Sequence, residues 1–116
     1  MLKKVNRLSS NFEFNVARKY GKKYEGELFH VYFLTPKNYT GPVKVGVVVS
    51  NKFHKNAVVR NRIKRLYREA IRNNFDKIDK ENLWIVIHPK IASLEKTYEE
   101  INADFDKVLQ KVSFSN

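Results

Sequence analysis

The chain has 116 residues, the length of one domain, and folding at that size buries roughly two-thirds of the unfolded surface. Its 42% hydrophobic and 13% aromatic content excludes a disordered basic tail, and the absence of cysteine excludes a disulfide framework, a thiolate metal site and a cysteine nucleophile. A net charge of +11, from 23 Lys and Arg against 12 Asp and Glu, calls for a partner of high negative charge density.

Residues 1–9 read as a basic, weakly structured lead-in with no apolar stretch behind it, so no secretory signal is expected. Ser10 with Glu13 forms a capping box that opens a short helix, ending at Gly21 as a C′ residue. Phe14, Ala17 and Tyr20 share one face of it, and Phe14 reads as a core anchor. Residues 24–35, rich in aromatic and β-branched side chains, read as a strand. Leu28, His30, Tyr32 and Leu34 fall on one face; Phe29, Val31, Phe33 and Thr35 fall on the other. Both faces are apolar enough to be covered at least in part. Residues 36–42, with two prolines and a glycine, are a loop. Residues 43–50 are almost wholly apolar, the pattern of a central strand covered on both sides.

Residues 56–74 carry Arg60, Arg62, Lys64, Arg65, Arg68 and Arg72 against one acid, Glu69. Val59, Ile63, Leu66, Tyr67, Ala70 and Ile71 recur at helical spacing and cover a stripe of about 140°. Asn61, Lys64, Arg65, Arg68 and Arg72 gather opposite, with Arg60 and Arg62 at the flanks. A solvated helix face is usually laced with i,i+4 pairs of opposite sign, and here only Glu69 supplies them. Arg outnumbers Lys, and its planar fork matches phosphate oxygens. This face is built for a polyanion.

A charged connection, 75–82, leads to another central strand at 83–88, stopped by Pro89. Thr97 and Glu100 make a second capping box, and Tyr98, Ile101, Phe105, Val108, Leu109 and Val112 keep helical spacing after it. The order is helix, strands, helix, strand, helix, in one domain over residues 1–116. The longest apolar runs, 45–49 and 83–87, are too short to span a bilayer, so a cytoplasmic protein without a membrane partner is expected.

His30, His54 and His88 show no metal-ligand spacing, and no phosphate loop or catalytic signature is present. Asp104 and Asp106, two apart on a helix, do not face each other and read as solvated surface. No side chain is singled out for catalysis, and no metal or other cofactor is expected on the chain. A helix-turn-helix reader of DNA needs consecutive helices in a helical core. Here the basic helix lies between two strands, which argues against DNA. A sheet face carrying Tyr32 or Phe33 beside a cationic helix instead suits single-stranded RNA, by phosphate contact and base stacking.

The run 45–72, VGVVVSNKFHKNAVVRNRIKRLYREAIR, resembles the signature of the bacterial ribonuclease P protein component. The likeness centres on Arg60-Asn61-Arg62, then Ile63-Lys64-Arg65 and Arg68-Glu69. Leu2-Lys3-Lys4, Arg7-Leu8, Phe14 seven residues before Gly21, Tyr32 and the strand ending at Pro89 match in order. The resemblance implies a small α/β (α+β) two-layer sandwich of order α-β-β-(β)-α-β-α. It also implies a left-handed strand–helix–strand crossover, against the right-handed default. It implies a protein subunit assisting a catalytic RNA that, with magnesium ions, removes the 5′ leader of precursor tRNA. Arg60, Asn61, Arg62, Lys64, Arg65 and Arg68 would then contact RNA, with Lys52 in the loop before them and Arg72 following the motif. Phe14 and Tyr32 correspond to aromatics of a leader cleft, so Phe14 stands as either core or cleft. Arg18 takes the place where many members have a second aromatic, which implies more electrostatic and less stacking contact there. The alternative class is a ribosomal or general single-stranded RNA-binding protein.

Overall fold

The computed structural model describes residues 6–8, 10–37, 39–78 and 81–112, with Asp76 through its backbone only. Leu2-Lys3-Lys4 therefore lies outside the described residues. The elements are α1 (Asn11–Tyr20), β1 (Lys22–Glu25), β2 (Phe29–Leu34), β3 (Lys44–Val47), α2 (Ala57–Asn73), β4 (Trp84–Pro89) and α3 (Tyr98–Lys111). The sheet order is β1-β2-β4-β3, with β3 and β4 parallel and the other pairs antiparallel. Helix α2 is thus the crossover between two adjacent parallel strands. The mixed α/β class and the element order read from the sequence are those of the fold.

Local chemistry explains the helix boundaries. Ser10 and Glu13 cap α1 reciprocally, and Thr97 and Glu100 do the same for α3. The Asn56 side chain accepts the Val58 N–H at 2.8 Å and starts α2. Gly21 does end α1, but in an extended conformation and not a left-handed one. A Cβ there would run into the Ala17 carbonyl oxygen, so close approach is what requires glycine.

Alternation divides the two faces of the sheet. Phe29, Val31 and Phe33 of β2, Val45 and Val47 of β3, and Ile85 and Ile87 of β4 pack in the larger core against α2 and α3. Helix α2 contributes Ile63, Tyr67, Ala70 and Ile71; α3 contributes Ile101, Phe105, Val108 and Leu109. Phe29 stacks on Phe105 with ring centroids 5.4 Å apart, and the Tyr67 hydroxyl donates to the Leu28 carbonyl at 3.1 Å. Burial pushes the Tyr67 pKa well above the ordinary tyrosine value. On the other face Leu8, Ala17, Trp84 and Val86 form a smaller core, flanked by Phe14, Val16, Tyr32 and Leu34.

Several expectations change. Residues 24–35 are not one strand but part of a hairpin, β1–β2, turning at Gly26, Glu27 and Leu28. Asp104, expected at the surface, is buried and accepts the Glu27 and Leu28 N–H groups at 3.1 and 2.9 Å, holding that turn to α3. Strand β3 lies at the end of the sheet order and not at its centre. Its apolar pattern reflects cover on both faces, and its outer edge is met by the lead-in: Arg7 bridges Val45, and the Leu8 N–H donates to the Val45 carbonyl. Tyr20 is 66% exposed and does not join Ala17 in the core.

Candidate nucleic-acid interface

The cations of α2 fall into three groups. Arg60 is drawn to the start of the helix, where its Nη1 donates to the His54 and Lys55 carbonyls, both at 2.8 Å. Arg62 reaches the other way, donating to the Leu94 carbonyl at 3.1 Å. Arg72 pairs with Glu69 at 3.7 Å, one turn away. Asn61 and Arg65 are exposed on the outer surface, and Lys64 and Arg68 lie half-buried toward α1 and the chain's opening segment. Burial, and then the neighbouring Arg7 guanidinium, lower the Arg68 pKa. A phosphate placed between two guanidiniums would relieve that repulsion. No acid occupies the first turn of α2, so its N-terminal dipole is not offset locally.

Phe14, Arg18 and Lys64, all singled out from the sequence, meet at one groove. It holds about 250 Å³ and is lined by Asn11, Phe14 and Arg18 of α1, Val47, Val48 and Val49, and Lys64 of α2. Its position follows from two facts. Helix α1 lies on one face of the sheet and α2 on the other, and the end of β3 passes between them. Gly46 lets the Phe14 ring lie directly on the β3 backbone, since any Cβ there would overlap the ring. Phe14 is therefore both a core flank and a groove wall. Lys52 is exposed on the turn that carries the chain from Val49 to α2.

Tyr32 does not line this groove but stands in the same cross-strand row, where Tyr32 pairs with Val86 and Val86 with Gly46 beneath Phe14. Two strand spacings, about 10 Å, separate Tyr32 from Gly46. In the next row His30 pairs with His88, their rings stacked at 4.9 Å, and Tyr32 stands edge-on to both at 5.7 and 5.8 Å. Burial, then His30, Arg18 and Lys23, depress the His88 pKa to about 4; burial, then Lys23, lowers that of His30. The sequence reading missed this pair and the valine wall, because both depend on which strands are neighbours. Among the described residues no group of three or more His, Asp or Glu side chains is placed to hold a metal ion. Among the described residues no helix is long and apolar enough to cross a membrane.

The arrangement offers an apolar and cationic groove, an aromatic row and an outer cationic helix face, all suited to a flexible polyanion carrying flat rings. Residues 2–113 match the family model described as Ribonuclease P. The ribonuclease P protein component of Clostridium novyi is 35% identical over 115 residues, covering 99% of this chain and 100% of that one. The Finegoldia magna protein of the same name is 39% identical, covering 92% and 90%. The solved structure of the Staphylococcus aureus RNase P protein superposes with a TM-score of 0.79 at 27% identity, over 97% of this chain and 100% of that one.

Proposed function

The chain belongs to the ribonuclease P protein family and so takes part in ribonuclease P with its RNA, and from that premise we propose how its surface is used. The outer face of α2 at Arg65, with the half-buried Arg68 at its border, docks the catalytic RNA. The groove of Phe14, Arg18 and Lys64, with Tyr32 beyond it, holds the 5′ leader of precursor tRNA. The observation that carries this reading is the meeting of an aromatic ring, a guanidinium and an ammonium from two helices at one groove. A phosphate between Arg18 and Lys64 would gain from both, while a base on Phe14 or Tyr32 gains stacking energy whatever its identity. Leaders of different sequence are therefore accepted.

The protein's part in the reaction is positioning and charge. The catalytic RNA and its substrate repel one another, and a chain of net charge +11 between them screens that repulsion. The hydrolysis itself, with magnesium, belongs to the RNA. The test mixes the chain with a bacterial ribonuclease P RNA and precursor tRNA at low magnesium. Leader removal should rise well above that of the RNA alone, and Arg18→Ala with Lys64→Ala should weaken binding of leader-bearing substrate about ten-fold while sparing mature tRNA. No gain over the RNA alone would favour a general RNA-binding protein, and an equal loss for mature tRNA would move the leader elsewhere.

A further inference from the structure

Helix α1 has a second exposed side, turned away from the groove above. Phe12, Val16 and Tyr20 stand four residues apart along it and form one ridge. Facing that ridge are Leu34, Thr35, Pro36 and Lys37, where the chain leaves β2, and between them lies Trp84. The groove so formed holds about 570 Å³, within the range of sites that enclose small planar ligands. Phe12 is 71% exposed, an unusual position for a ring that size, and no acidic residue lines the groove. Lys37 forms part of the wall; Lys19 lies over the Tyr20 ring, 5.4 Å from its centroid. Trp84 is mostly buried and forms part of the groove's lining.

We propose that this groove is a second single-stranded RNA site, taking an unpaired base against Phe12, Tyr20 and Trp84 with the adjoining phosphates on Lys19 and Lys37. Flat rings beside lysines, without an acid, match the two parts of a nucleotide. A second copy of the chain fits poorly: a two-fold contact would set this lysine rim against its own image, between bodies each carrying +11. The site lies across α1 from the leader groove and does not depend on it. It would let the protein hold a single strand along both sides of one helix.

Trp84 is the only tryptophan, so its emission reports on this groove directly. A uridine hexamer titrated into the full chain at low salt should quench Trp84. Phe12→Ala with Tyr20→Ala, both at exposed positions that leave the core intact, should weaken the affinity read from that signal about ten-fold or more. Lys64→Ala, in the other groove, should leave the Trp84 response in place. Failure of the hexamer to bind, binding by anisotropy of a labelled hexamer without any change at Trp84, or a quench indifferent to the double substitution would each overturn the proposal. So would a Trp84 signal that follows protein concentration alone, with sedimentation showing dimers, since the groove would then be a self-association surface.

Discussion

His88 sits among charges of one sign. Arg18 from α1, Lys23 from β1 and His30 from β2 all disfavour its proton, burial does so more, and its Nε2 has no hydrogen-bond partner. Lys90 and Glu25 act on His30 in opposite senses. With a folded pKa of about 4 against 6.5, the unfolded chain takes up a proton first as pH falls. Stability is therefore full above about pH 6.5 and declines toward pH 4, the direction linkage requires when the unfolded state binds more protons. Because the ring is partly exposed, the loss is discounted to roughly 1–2 kcal/mol. Urea unfolding at pH 7.5 and pH 5 should show this decline in the native chain and a flatter profile in His88→Gln; equal slopes would show that other groups set the pH dependence. Near neutral pH both imidazoles are uncharged. The positive charge around the two rings then comes from Arg18, Lys23 and Lys90.

The elements are joined by contacts that local sequence does not reveal. Asp104 of α3 accepts two N–H groups of the β1–β2 turn from 76 and 77 residues away. Gly26 is needed there because a Cβ would press on the Asp104 carboxylate and Val108. Asp104→Ala would leave both N–H groups without a partner and should cost roughly 2–4 kcal/mol. Asp106→Ala, which removes an exposed pair with Lys77 and an exposed hydrogen bond from Gln110, should change stability little; similar losses in the two variants would refute the anchoring role. This shows why the helices were legible and the hairpin was not. Capping boxes and helical periods act within four residues, and α2 begins and ends one residue inside the stretch read for it. The turn is set by a distant acid, and in sequence it reads as an interruption within a strand. Apolar content reported the burial of β3 correctly but not its place in the sheet, since α1, α2 and residues 6–8 together cover an edge as fully as a centre. In the candidate site the basic helix was plain from composition, while the meeting of Lys64 with Phe14 and Arg18 required the fold.

For the whole molecule the question is how many of its charges meet RNA at once. Arg60 and Arg62 each commit a guanidinium nitrogen to backbone carbonyls, and Arg72 shares Glu69. Among the described residues Arg65 makes no hydrogen bond or ion pair with protein, and Lys64 faces the groove. With Arg68 and Lys52 this gives about four cations placed to displace counterions. Each is worth about 0.7–0.9 in the slope of log affinity against log salt, so a slope near −3 is expected for binding to the ribonuclease P RNA together with leader-bearing precursor tRNA, which engages Lys64 as well. The six basic residues of α2, counted without regard to where they point, would give about −5. Arg65→Ala should reduce the slope by a little under one. Arg60→Ala should instead lower affinity at every salt concentration with little change in slope, because it frees the loop before α2 and removes no outward charge. A slope near −5, or equal slope changes for the two variants, would mean that the carbonyl-bound arginines turn outward when RNA arrives and that the interface forms only on binding.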